Sequence, residues 1–156
     1  MKPRESTRTD TPEATEAAGE HLADRLDAGD VVLLEGDLAA GKTTFVRGLV
    51  RGLGGDDDAV SSPSFVLLQT YDCGVRGVAV LHHVDLYRLG DRLPDLRELG
   101  LEEVLSDPAA VVAVEWPKKA VATWIPNDAR TWRIAITTNN DGTRTITIHP
   151  PNPPNS

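Results

Sequence analysis

The chain has a single cysteine, Cys73, in 156 residues. An internal disulfide is therefore excluded, and a reducing compartment is the expectation. Cys73 sits in the turn-like Asp72-Cys73-Gly74 with no histidine motif beside it, so a bland role outweighs a nucleophilic one. Basic residues are also scarce: 16 Lys and Arg stand against 24 Asp and Glu, a net charge of −8. A broad nucleic-acid surface is disfavoured, because such affinity comes mainly from basic groups facing phosphates. A nucleotide is not excluded, since one local cradle can hold it. No apolar run approaches the roughly 20 residues of a membrane span, and Met1 to Asp10 is too polar for a signal peptide. These absences lead to the expectation of a soluble cytoplasmic protein. Internal repeats are lacking as well, and no N-K-x-D guanine motif occurs.

What is present is organised around Gly36-Asp37-Leu38-Ala39-Ala40-Gly41-Lys42-Thr43-Thr44, which fits the phosphate-cradling pattern G-x-x-x-x-G-K-[ST]. Four fixed positions recur by chance in a chain of this length on the order of once in two hundred, and the flanks lower that further. Val31 to Glu35 reads as a strand. Phe45 to Leu53 places apolar residues at helical spacing. Gly36 and Gly41 let the backbone turn its N–H groups toward an anion, and the helix beginning near Lys42 adds its positive end. Lys42 would reach the outer phosphates and the Thr43 hydroxyl a Mg²⁺ ion. The competing reading is a plain Gly-rich turn between strand and helix.

The remaining elements follow in order. Residues 1–10 are expected to be disordered. Pro12 to Leu26 forms an amphipathic helix with Thr11 as N-cap and Pro12 in the first turn. Gly54-Gly55 stops the second helix. Asp56-Asp57-Asp58 is a solvated acidic loop and a poor metal cage. Phe65 to Tyr71 and Val78 to Val84 make an antiparallel hairpin across Gly74 to Gly77. Asp95 to Leu105 is a short helix interrupted by Gly100, and Lys118 to Trp124 another. Ala109 to Val114 is apolar throughout, as a strand buried on both faces should be. Thr131 to Thr137 and Thr143 to His149 form a hairpin around Asn139-Asn140-Asp141-Gly142.

The sum is a single domain over residues 11–149 between loose tails, 1–10 and 150–156. Its class is α/β: a P-loop NTPase-like three-layer fold with a small, mostly parallel sheet, helices on its faces and antiparallel C-terminal strands. Ligands on such sheets bind at the carboxyl ends of strands. Three features meet there: the Gly36 loop, Asp85 after its strand and Glu115 after its strand. One carboxylate would hold Mg²⁺ while the other positions the attacking water; the alternatives are capping a helix or pairing with Arg88 or Arg92. Ser62 and Ser64 could sense a γ-phosphate. Trp116 and Tyr87 could stack on a base or simply pack. His82 and His83 point to opposite faces of one strand, so only one can face the site. Arg88, Arg92 and Arg97 read as a solvated face.

Several stretches together carry a resemblance. The Gly36–Phe45 loop, Ser62-Pro63-Ser64-Phe65, His83-Val84-Asp85-Leu86-Tyr87-Arg88-Leu89, Glu98-Leu99-Gly100 and Val114-Glu115-Trp116-Pro117 occur in this order. They resemble the TsaE (YjeE) family, the small ATPase of bacterial tRNA threonylcarbamoyladenosine synthesis, over roughly residues 11–148. The resemblance implies an ATPase that drives a TsaB–TsaD complex and meets tRNA only through it. It implies that Lys42 and the loop Asp37, Leu38, Ala39, Ala40, Gly41, Thr43 and Thr44 bind ATP. It implies that Thr43 and Glu115 ligate Mg²⁺, and that Asp85 acts near the γ-phosphate or the metal's water shell. Ser62 to Phe65 resembles a first switch loop and Asp85 to Leu89 the start of a second. Trp116 and Thr15 match positions beside the nucleotide. Two departures stand out: Ala39 replaces the family's usual Gly, and Ser64 its usual Thr. Arg144 is a candidate for the family's late arginine. A small-molecule kinase and a nucleotide-gated binding module with negligible hydrolysis are the competing functions.

Overall fold

The structure is a computed structural model, and it describes residues 4–37, 40–60, 68–86, 100–115 and 125–151. Seven strands and three α-helices make up the described elements: β1 (Glu5–Thr9), α1 (Pro12–Ala23), β2 (Val31–Gly36), α2 (Lys42–Gly52), β3 (Leu68–Val75), β4 (Val78–Asp85), α3 (Leu101–Leu105), β5 (Ala110–Glu115), β6 (Thr131–Thr138) and β7 (Arg144–His149). A short 3₁₀ turn, Asp57–Ala59, follows α2.

The strands form one sheet in the order β1-β7-β6-β2-β5-β4-β3. β2 runs parallel to β5 and β6, and β4 parallel to β5. The other three pairings, β1–β7, β6–β7 and β3–β4, are antiparallel. The expected mostly parallel sheet is thus corrected to a mixed one, with a parallel centre and antiparallel margins. Two of the antiparallel pairings are the hairpins that the turns announce, and the edge strand β1 adds the third. Arg76 and Gly77 both have positive φ, at 48° and 78°, the two-residue turn that folds β3 back on β4. The hairpin is therefore tighter than the expected Gly74–Gly77 loop.

The sheet is also larger than expected, because Glu5–Thr9 is a strand rather than a loose tail. It pairs with β7 from Glu5 opposite Ile148 to Thr9 opposite Arg144. Its first four residues are exposed and only Thr9 is buried. An edge strand that covers no core needs no apolar alternation, so nothing in the hydrophobic pattern reveals it. At the other terminus Pro151 is buried rather than loose.

β5 is buried at all six positions, as its unbroken apolar run predicts. Leu34, Leu81, Val111, Ala113, Ile134 and Ile136 pack with Leu22 of α1 and Phe45 and Leu49 of α2 in the larger core. Val31, Val84, Val112 and Val114 pack with Leu101 and Leu105 of α3 in a second one. The described helices thus cover both faces.

α1 begins as its sequence dictates: the Thr11 side chain accepts from the Ala14 N–H, 3.1 Å away. At its other end the hairpin residue Arg76 donates to the Ala23 and Leu26 carbonyls, tying the β3–β4 turn to the end of α1. α1 and α2 touch backbone to backbone. A Cβ at Gly48 would sit 1.9 Å from the Glu16 carbonyl oxygen, and one at Gly19 2.2 Å from that of Phe45. Three arginine contacts tie the same pair together at its rim: Arg47 to Glu16, and Arg51 to Glu16 and Glu20. The start of α1 meets the start of α2 where Thr15 borders Gly41, and there the candidate site lies.

The short helices expected over Lys118–Trp124 and the first half of Asp95–Leu105 lie outside the described residues, as do Ser62–Phe65, Tyr87, Arg88, Arg92 and Arg97.

Candidate functional site

The parallel centre of the sheet brings three strand ends together. Asp85 pairs with Glu115 across β4 and β5, and Leu34 pairs with Glu115 across β2 and β5. The loop that leaves β2 at Gly36 therefore starts beside both carboxylates, the carboxyl-end position expected for a ligand.

Gly36 cannot be replaced without a clash, since a Cβ there would lie 2.5 Å from the Ile136 carbonyl oxygen. Gly41 has φ 111° and stands at the N-cap of α2 with no side-chain cap, and the first turn of α2 carries no acidic residue. That helix end presents N–H donors and a positive dipole end uncompensated by a local carboxylate, a suitable seat for an anion. Leu38 and Ala39, two residues of the expected cradle, lie outside the described residues.

Lys42 opens α2 and is 5% exposed. Its Nζ donates to the carbonyls of Gly36 at 2.6 Å and Asp37 at 3.0 Å. Burial pushes its pKa down, and the negative charges of Glu115, Asp85 and Asp37 pull it back up. A buried ammonium held on backbone carbonyls and surrounded by acids is a cation set beside the helix N-terminus.

Thr43 follows, and its Oγ1 donates to Glu115 Oε2 at 3.4 Å. Glu115 is 3% exposed, and the same oxygen lies within hydrogen-bond reach of His83 Nε2. Thr43, Glu115 and the neighbouring Asp85 supply hard oxygen ligands of the kind a small divalent cation takes. The structure thus brings together Lys42, Thr43, Asp85 and Glu115, all expected at the site.

On the other side of Gly41 lies a cleft of about 270 Å³, lined among others by Thr11, Thr15, Ala40, Gly41, Thr44 and Arg144. Thr15 is 2% exposed. Its hydroxyl donates to the Thr11 carbonyl at 3.4 Å and accepts from Thr9 Oγ1 at 2.9 Å. A Cβ on Gly41 would lie 3.6 Å from the Thr15 methyl group. Arg144 donates through Nε to the Ala40 carbonyl at 3.0 Å, which ties β7 to the glycine loop. Thr15, Ala40, Gly41 and Thr44 therefore share one cleft. Trp116 lies outside the described residues.

Two contributors come from outside the expected set. Thr9 was hidden in the unrecognised strand β1. His83 was read only as one of two histidines on opposite faces, which is how they stand: His82 meets Thr70 and Asp107, and His83 meets Glu115. The signal for His83 was its spacing, since residues two apart on a strand share a face and Asp85 follows it by two.

Other candidates resolve into structural roles. The carboxylates of Asp56, Asp57 and Asp58 lie within 4.8 Å of one another, but Asp57 is bound by Arg51 at 2.7 Å and Asp56 caps the 3₁₀ turn. Burial pushes the Cys73 thiol up to about 11, so it is no nucleophile at neutral pH. Among the described residues, no helix is long and apolar enough to cross a membrane.

Comparison with known proteins places this geometry. The family described as "Threonylcarbamoyl adenosine biosynthesis protein TsaE" matches residues 9–146. The chain is similar to the tRNA threonylcarbamoyladenosine biosynthesis protein TsaE of Treponema pallidum, at 40% identity over 79% of this chain and 84% of that one. The Nostoc relative of the same name is 38% identical over 88% of this chain and 81% of its own. The Streptomyces coelicolor relative is 46% identical, but the match spans 63% of this chain and only 64% of that protein. The chain likewise covers 64% of the length of the Bacillus subtilis relative, at 43% identity. Among solved structures, that of Bacillus subtilis YdiB superposes with a TM-score of 0.70 at 31% identity, covering 97% of this chain and 88% of that one. With the family's pattern spanning nearly the whole sheet and every described residue of the site, the chain belongs to the TsaE family.

Proposed function

We propose that this chain is a Mg²⁺-dependent ATPase with a P-loop NTPase-like fold, a cytoplasmic subunit serving the threonylcarbamoyladenosine modification of tRNA. It acts on a TsaB–TsaD-type protein complex and reaches tRNA only through that complex. The observation that carries this reading is the convergence of Lys42, Thr43 and Glu115 at the uncapped start of α2.

The donor set fits Mg²⁺. Adjacent vertices of an octahedron with bonds of about 2.1 Å lie roughly 3 Å apart, and the Thr43 and Glu115 oxygens are 3.4 Å apart. Both are hard oxygen donors. When bound, the ion would neutralise charge on the outer phosphates and fix their orientation. Thr43 and Glu115 would hold it.

The chain's own groups do the rest. The backbone N–H groups of Asp37 and of Ala40 to Thr44 cradle the triphosphate. Lys42 exchanges the Gly36 and Asp37 carbonyls for phosphate oxygens, a trade of one set of acceptors for a more charged one. Asp85, paired with Glu115 on the next strand, would act near the γ-phosphate or the metal's water shell. The cleft bounded by Thr15 and Arg144 receives the nucleoside end. The acidic balance of the chain favours a protein partner over direct contact with tRNA.

The test is phosphate release from ATP, with the protein alone and with the partner complex. Slow release alone, faster release with the complex, and loss of both in Lys42→Ala are expected. Rapid phosphate transfer to a small acceptor without any protein partner would favour the kinase reading instead.

A further inference from the structure

Resting on that ATPase reading, we propose that His83 is a positioning residue that holds the Glu115 carboxylate in the orientation a divalent cation requires. His83 is fully buried on β4. Its Nε2 meets Glu115 Oε2, while its Nδ1 is buried without a hydrogen-bond partner among the described residues. A neutral imidazole carries one ring proton. Placed on Nδ1, that proton would be a buried, unpaired donor, and the Nε2 lone pair would face a carboxylate oxygen. Placed on Nε2, it makes a hydrogen bond to a carboxylate and leaves only a bare acceptor behind. The second arrangement avoids both penalties, so His83 donates to Glu115.

The consequence is geometric. Glu115 has a flexible side chain at a strand end, and two donors from different elements converge on its Oε2: Thr43 from α2 and His83 from β4. That leaves Oε1 uncommitted to any donor among the described residues. The Thr43 hydroxyl is also a proposed ligand, so its bond to Glu115 is given up when it turns its oxygen to a cation. His83 then remains as the donor that keeps the carboxylate in place. Its ring has an aromatic neighbour, Tyr71 on β3, 6.5 Å away between ring centres and tilted by 36°. Outer hydrogen-bond partners of this kind orient ligands, and their loss typically costs about 10- to 100-fold in metal affinity.

The experiment compares wild type, His83→Leu and His83→Gln, the last keeping an N–H donor. Mn²⁺ binding to the ADP complex is followed by the loss of the free-ion electron paramagnetic resonance signal. Affinity for fluorescent ADP is measured in parallel without metal. We expect His83→Leu to weaken Mn²⁺ binding about 10- to 100-fold with metal-free ADP affinity unchanged, and His83→Gln to recover most of the loss. A purely structural role would lower the melting temperature and leave this split untouched, so a folded His83→Leu with wild-type Mn²⁺ affinity overturns the proposal. Should His83→Leu fail to fold, ¹⁵N-histidine spectra of the wild type decide: an Nε2–H tautomer supports the proposal and an Nδ1–H tautomer overturns it. Absence of any Mn²⁺ binding by the wild-type complex would overturn the metal-dependent reading itself, a separate failure from an unchanged His83→Leu.

Discussion

Thr43 Oγ1 lies 3.4 Å from Glu115 Oε2, although 72 residues separate them in the chain. One sits in the first turn of α2 and the other at the end of β5. The parallel pairing of β2 with β5 makes them neighbours. This contact joins the glycine loop to the buried carboxylate, and it is the relationship on which the metal-dependent reading turns.

Glu115→Ala removes the carboxylate while leaving the Gly36–Thr44 loop intact. Mg²⁺-dependent nucleotide affinity is expected to fall by at least about tenfold, with metal-free affinity nearly unchanged. Calorimetric titration of nucleotide with and without Mg²⁺ checks this, and equal Mg²⁺-dependent affinities would remove Glu115 from the metal's ligands.

Thr15→Ala deletes a buried hydroxyl that accepts from Thr9 and donates to Thr11. Thr9 Oγ1 is then left without that partner. A stability loss of about 1–3 kcal/mol follows, together with weaker nucleotide binding, because the Thr15 methyl borders Gly41. Urea denaturation and nucleotide titration of the same variant separate the two effects. Wild-type nucleotide affinity would show that the cleft does not take the nucleoside.

Gly48→Ala tests the helix contact by the sign of its effect. In an exposed helix the change from Gly to Ala stabilises by about 1 kcal/mol. Here the new Cβ would meet the Glu16 carbonyl oxygen at 1.9 Å, so α1 must move off α2. A net destabilisation of about 1–3 kcal/mol is expected, read as a lower midpoint in urea. Nucleotide affinity should fall as well, since Thr15 on α1 moves away from Gly41. A more stable variant would refute the close approach.

Asp57→Asn probes pH dependence. The hydrogen bond from Arg51 holds the Asp57 carboxyl below its ordinary 3.8. A folded-state pKa below the unfolded one contributes stability that is fully present above 3.8 and lost as pH falls through the lower folded value. Wild type should therefore exceed Asp57→Asn in stability at neutral pH, and the difference should close as the pH drops below the ordinary carboxylate range. Denaturation midpoints from pH 7 to pH 2.5 measure it; a gap that persists at the acid end would mean the pair contributes through packing rather than charge.

Much of the site was readable in the order of residues. Gly36, Gly41, Lys42 and Thr43 stand at spacings that local backbone chemistry requires, and the apolar runs before Asp85 and Glu115 announce strand ends. Less was readable where a residue's partner comes from far along the chain. Thr9 belongs to a polar edge strand with no apolar alternation, so its pairing with Arg144 leaves no local mark. The order of the strands leaves no local mark for a similar reason: hairpins declare themselves by their turns, but which strand each hairpin then joins depends on the whole sheet.

Amino-acid order alone determined the strand–loop–helix unit from Val31 to Gly52, the Thr11 cap of α1 and the hairpin between β6 and β7. Each is set by interactions among residues a few positions apart: allowed φ and ψ, capping and periodic burial. Only the folded sheet decided that His83 and Thr43 would share one oxygen of Glu115, and that Thr9, Thr15 and Arg144 would border one cleft. Those meetings depend on strand order and register, which the chain settles collectively when it buries both faces of the sheet.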